Sequence, residues 1–143
     1  MTAHDAEGLV RRFYRQLWNE WDDGAVAATL SEGFTFRGSL GDETLGRDGW
    51  RRYRDQVRAG SADFHNEIVE LVCQAGRAAA RVRCSGHHTG PLLGFPPATP
   101  PRTFRYDVAA FFRVSEGFIT DAWVLGDLDR LRRQLASPGE EDD

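Results

Sequence analysis

The sequence predicts an α+β fold in which N-terminal helices pack on a curved antiparallel sheet, and three observations carry that expectation. Apolar residues recur at three- and four-residue steps through the first 60 positions. From residue 63 to 126 the pattern changes to β-branched and aromatic runs, two of whose connections are short and glycine-bearing. The length, 143 residues with 41% hydrophobic and 28% charged, suits one domain, expected over residues 1–135, with an acidic disordered tail over 136–143.

The elements follow in order. Leu9, Val10, Phe13, Leu17 and Trp21 form one apolar stripe, so residues 5–21 read as a helix with Asp5 as its N-cap. Asp22-Asp23-Gly24 ends it, and a short second helix over 24–31 carries Val26 and Leu30. Phe34-Thr35-Phe36-Arg37 alternates as a strand before the loop Gly38–Asp42. Asp48 is placed to cap a third helix with Trp50, Tyr53 and Val57 on one face, ended by Gly60-Ser61. Strands are expected over 63–73, 78–88, 103–114 and 118–126. Gln74–Arg77 and Ser115–Gly117 each close an antiparallel hairpin, whereas 89–101 holds five of the six prolines and reads as an irregular loop. Asp127 caps a closing helix on which Leu128, Leu131 and Leu135 align. Segregated helices and strands of this kind leave a conical hollow on the concave sheet face.

Composition narrows the function. The formal charge of −4 comes from the tail, since the first 135 residues carry 18 acidic and 18 basic side chains. A neutral body without a basic run argues against nucleic acid or a membrane surface as partner. No stretch nears the ~20 apolar residues of a membrane span. The polar start, Met1 to Glu7, does not read as a secretory signal. Cys73 and Cys84 lack Cys-x-x-Cys spacing and read as small buried thiols, so a cytoplasmic location is expected. Adjacent His87 and His88 point to opposite faces of a strand and cannot share a metal, and no other ligand spacing is present.

Three motifs carry a resemblance. Val10-Arg11-Arg12-Phe13-Tyr14 with Leu17-Trp18-Asn19-Glu20, then His88-Thr89-Gly90-Pro91-Leu92-Leu93-Gly94-Phe95-Pro96-Pro97, then Phe111–Val114, Glu116–Ile119, Trp123 and Asp127, resemble the SnoaL-like polyketide cyclases of the NTF2-like superfamily. The likeness spans residues 8 to 135. It implies an NTF2-like cone, a homodimer formed through the outer sheet face, a hydrophobic pocket for a small molecule, and no metal or organic cofactor. In these cyclases an Asp on the last strand, supported by a His on its neighbour, assists an aldol closure. Those positions fall here on Val124 and Ala110, neither of which moves a proton. An epoxide-hydrolase-like reading also needs an acid at Val124.

If positions 110 and 124 face inward, alternation turns Tyr106, Val108, Phe112, Ala122 and Gly126 inward too. The resemblance implies that Leu17 and Tyr53, with Trp18 and Trp50 nearby, add the helical wall; these aromatics either bind a hydrophobic ligand or fill the core. Arg37 is expected at the cone's mouth as a clamp for a carboxylate, enolate or carbonyl, or else paired with Asp42 or Glu43. His65 is a candidate acid/base or an edge residue. Asp107 alternates outward, unless a bulge turns it inward as a base with a raised pKa. Tyr106 or Tyr53 would donate to an oxyanion, and His88 would pin the proline-rich loop over the pocket. Three functions follow: a cyclase or isomerase acting largely by shape, a non-catalytic carrier of a small hydrophobic ligand, or a structural partner subunit whose cone is filled by Trp18, Trp50 and Phe112.

Overall fold

The computed structural model describes residues 1–136, so the acidic tail, apart from Ala136, lies outside the described residues. Four α-helices precede, interrupt and close a six-stranded, curved and unclosed sheet. Helix α1 spans Ala3–Arg12, α2 Val26–Thr29, α3 Gly46–Gly60 and α4 Leu128–Ala136. The strands are β1 (Leu30–Arg37), β2 (Glu43–Leu45), β3 (His65–Cys73), β4 (Arg77–His87), β5 (Thr103–Ser115) and β6 (Phe118–Gly126). Their order across the sheet is β2-β1-β6-β5-β4-β3. Every neighbouring pair is antiparallel except β1 and β6, which run parallel.

The first helix starts earlier than expected because Thr2, not Asp5, is its cap. The Thr2 hydroxyl accepts from the Asp5 amide at 3.1 Å, and the Asp5 carboxylate accepts from the Thr2 amide at 2.9 Å. That backbone hydrogen bond holds the Asp5 carboxyl below its ordinary pKa. From Phe13 to Asn19 the helix widens into a π-helix, whose broader turn buries Phe13, Tyr14, Leu17 and Trp18 together. The widening takes Trp21 off the stripe. At φ 58° it turns out to lie under the guanidinium groups of Arg54 and Arg58, 4.1 and 4.0 Å away.

Strand β1 begins at Leu30, where a second helix was expected to continue, and three-residue β2 follows the expected loop Gly38–Asp42, where no element was assigned. Asp48 sits in the first turn of α3, bonded to Arg51, and not at its cap. The alternation of β5 buries Phe104, Tyr106, Val108, Ala110, Phe112 and Val114 against the helices. Phe13 is the hub of this core, with Tyr14, Phe34, Phe36, Trp50 and Phe112 at ring separations of 5.0 to 6.4 Å. Two glycines permit close approaches. A Cβ on Gly38 would fall 2.1 Å from the Tyr53 ring, and one on Gly90 would fall 1.8 Å from the Ala59 carbonyl oxygen. The second lets the proline-rich loop settle on the end of α3, where the Thr89 and Gly90 amides donate to the Gly60 carbonyl.

Candidate functional site

The concave face of the sheet and the helices enclose a hollow of about 20 Å³. That is the scale of one water, which needs ~10–15 Å³. Phe13, Trp18, Phe36 and Phe64 supply its ring walls, and Val57, Val108 and Val124 its aliphatic ones. Five neutral polar side chains also face it: Tyr14, Ser39, Tyr53, Asn66 and Cys84. No carboxylate, histidine or arginine is among the described residues that line it.

Four of these five polar groups are hydrogen-bonded. Ser39 in the loop after β1 bonds the Tyr106 hydroxyl at 3.1 Å, and the Tyr53 hydroxyl accepts from the Leu40 amide at 3.1 Å. Tyr106 is also the cross-strand partner of Cys84. The Cys84 thiol in turn donates to Asn66 Oδ1 at 3.3 Å. Asn66 itself is held by Asn19 at the end of the π-helix: the Asn19 carboxamide donates to the Asn66 carbonyl and accepts from its amide, both at 2.8 Å. Burial pushes the Tyr53 phenol and the Cys84 thiol up to about 12, and Tyr14 and Tyr106 well above the usual 10. All four are therefore neutral hydrogen-bonding groups near pH 7, not bases.

Of the residues named from sequence, Trp18, Tyr53, Val108 and Val124 line the hollow. Tyr106 is buried beside it and reaches it through Ser39. Ala110 and Val124 are buried cross-strand partners. Leu17, Trp50 and Phe112 are buried among the rings that fill the cone and do not border the hollow. His88 is 1% exposed and holds the loop through Nε2 and the Phe95 carbonyl at 3.3 Å.

The structure places three of the catalytic candidates outside the hollow. Arg37 is not at the mouth: it alternates to the outer sheet face, 5.2 Å from the Trp123 ring centre, and donates to the Val124 carbonyl at 2.6 Å. Asp107 pairs with Arg83 at 3.5 Å on the same outer side, because no bulge interrupts the β4–β5 ladder there. His65 is exposed at the start of edge strand β3, one position out of phase with inward Asn66.

Two further hollows matter. One, of about 290 Å³, lies outside the cone beside Asn19, Trp21, Arg58, Asp63 and His65. Trp18 and Phe64, with ring centres 5.6 Å apart, border both this hollow and the inner one, so this ring pair is the partition between them. The other, of about 520 Å³, is a groove on the outer sheet face. There Val72, Ala79, Phe111, Trp123 and Arg37 fall in one cross-strand row, and Val72, Phe111 and Trp123 are 62%, 51% and 42% exposed.

Sequence reasoning missed Asn66, Cys84, Ser39 and Tyr14. Phasing β3 and β4 from Val82 would have turned Asn66 and Cys84 inward, since Asn66 pairs with Cys84 two positions along. Ser39 carries no such signal, because loop geometry alone places it.

Among solved structures, a candidate SnoaL-like polyketide cyclase from Jannaschia sp. CCS1 superposes with a TM-score of 0.86 at 16% identity, over 96% of this chain and 95% of that one. TsrD from Streptomyces laurentii gives 0.80 at 24% identity, over 94% and 97%. IdmH from Streptomyces antibioticus, a candidate polyketide cyclase, gives 0.79 at 22%, over 92% and 98%. These likenesses establish the fold. No curated protein matches the sequence. The profile of the SnoaL-like polyketide cyclases matches residues 8–135, from the middle of α1 to the end of α4. The chain belongs to the SnoaL-like polyketide cyclase family.

Proposed function

We propose that the protein takes a small hydrophobic, polyketide-like molecule into the cone and guides its cyclisation by confinement, with neutral hydrogen bonds in place of an Asp/His pair. The observation that carries this reading is the lining: rings and aliphatic side chains around phenols, a thiol, a hydroxyl and a carboxamide. Holding a flexible chain in a reactive conformation can remove ~7–11 kcal/mol of a ring-closure barrier. A substrate that enters as its enol needs no protein base: the enol carbon bonds the ketone carbon while the enol O–H proton ends on the new hydroxyl. Tyr53, kept protonated by burial, is suited to donate to that oxygen as charge develops, and Tyr106 to act on it through Ser39. An epoxide-hydrolase-like reaction fits less well, because the Val124 position offers no acid to activate water. Entry requires Trp18 and Phe64 to part, which joins the inner and outer hollows. Two unpaired cysteines fit a reducing, cytoplasmic setting.

The family's usual association through the outer sheet supports a homodimer, and the exposed Phe111–Trp123 row offers the apolar surface for it. Trp123→Asp would then yield monomers by sedimentation, and an unchanged mass would refute the dimer.

A second reading is favoured by one observation. The hollow is about 20 Å³, against roughly 300–1,000 Å³ for ordinary ligand pockets. A cone packed with its own rings would make the protein a structural partner subunit. Intramolecular aldol closure of a 1,5-diketone separates the possibilities. The proposal expects turnover above buffer that falls at least ~10-fold in Tyr53→Phe or Tyr106→Phe, the loss set by one hydrogen bond to an oxyanion. Binding without product identifies a carrier, and neither binding nor product identifies the packed cone.

A further inference from the structure

The Cys84–Asn66 hydrogen bond in the cone leaves one donor free. Asn66 is 5% exposed and borders the inner hollow, yet its Nδ2 has no hydrogen-bond partner among the described residues. A buried amide N–H left unpaired costs ~1–3 kcal/mol, so its retention calls for a reason. The orientation of the carboxamide follows from its neighbour. The buried Cys84 thiol meets the carboxamide oxygen at 3.3 Å and donates to it. Nδ2 is then the end of the carboxamide left without a protein partner. The backbone beneath is clamped by two 2.8 Å hydrogen bonds from Asn19, which restrains the side chain from swinging away.

We propose that Asn66 is the specificity-determining donor of this site, its Nδ2 taking the carbonyl oxygen of an uncharged hydrophobic ketone. This rests on the cone being a ligand site. The partner must be an acceptor, because only N–H is on offer. It must be uncharged, because no cation lines the hollow and an unpaired buried anion is strongly disfavoured. Arg54 is engaged between Trp21 and Trp50, Arg58 over Trp21, and Arg37 on the outer face. The acceptor must also be compact, since the space beside Asn66 admits a single oxygen-sized group before any ring moves.

The test uses the full chain with cyclohexanone and methylenecyclohexane, which share a ring and differ in C=O against C=CH2. Infrared difference spectra of the bound ketone should place its carbonyl stretch below the value in hydrocarbon solvent. In Asn66→Leu the stretch should return toward that value, and the ketone-to-alkene affinity ratio should fall about tenfold, as loss of one hydrogen bond implies. Thermal unfolding of the variant checks that it folds, and the wild-type spectrum decides the matter if it does not. A bound ketone with a hydrocarbon-like stretch overturns the role of Asn66 while leaving the cone as a ligand site. Failure of both compounds to bind overturns the ligand site and this proposal together.

Discussion

Raising the pH through 10 should unfold this protein in one step that carries every phenol ionisation with it. All three tyrosines, Tyr14, Tyr53 and Tyr106, are buried, at 4%, 4% and 2% exposure. Burial raises each above the ordinary value of 10, Tyr53 to about 12. Below pH 10 the phenols are neutral in both folded and unfolded chains and contribute no pH dependence. Above it the unfolded chain releases protons that the folded one retains, so stability falls as pH rises toward the folded-state values. One pH unit is worth ~1.4 kcal/mol per group, so three phenols remove ~4 kcal/mol per unit. Cys84, raised from 9.0 to about 12, adds a further ~1.4 kcal/mol per unit from a lower starting pH. A domain stability of ~5–15 kcal/mol is then exhausted within about two to three units above pH 9. The sequence makes the measurement clean. All 18 basic residues are arginine, so no lysine titrates in this range. Phenolate absorbance and far-ultraviolet circular dichroism, followed together, should change in one coincident transition. Phenolate appearing gradually near pH 10 while the dichroism stays native would show that the rings are solvated, and the reasoning about the cone's interior would fail.

Other outcomes follow from the same packing. Trp18→Ala should cost ~3–5 kcal/mol and open a space that benzene fills, read as a benzene-dependent rise in melting temperature absent from the wild type. Equal stabilisation of both proteins would show that Trp18 is no partition. Arg54→Ala removes a guanidinium that is 4% exposed and lies over two indoles, so a loss of ~2–4 kcal/mol is expected in denaturant unfolding. A change under ~0.5 kcal/mol, the scale of an ordinary surface substitution, would mark that stack as incidental. Changing Arg37, Asp107 and His65 together to Gln, Asn and Gln should leave ligand affinity or turnover within about twofold, since none borders the inner hollow. A tenfold loss would return one of them to the site.

Periodicity made parts of this fold readable. Trp50, Tyr53 and Val57 share a buried face of α3 because three- and four-residue steps bring side chains together. Strict alternation along β5 marks its inward set in the same way. Arg54 escaped notice because arginine at a helical position reads as solvated, and only the turn at Trp21 supplies its second aromatic face. The outward place of Arg37 follows from its register with Trp123, a partner 86 positions away in the chain that no local pattern announces. The size of the hollow was equally hidden. Spacing tells which rings point inward, but how Phe13, Phe36 and Trp18 divide the space is settled by packing across four elements.

The parallel pairing of β1 with β6 places a long loop-closure step at the heart of assembly. Leu30 meets Ile119, and Arg37 meets Trp123, across more than half of the described chain. The entropy of closing so large a loop must be met before Phe34 and Phe36 gain their neighbours on the sheet. The β3–β4–β5 ladder, joined by nearer contacts, can form while β1 is still unplaced. On the ribosome, β1 would therefore wait without its β6 neighbour until the last strand emerged. A chain truncated before residue 118 would keep β3 to β5 and yet lose the closure of the cone, leaving β1 exposed to pairing with other chains.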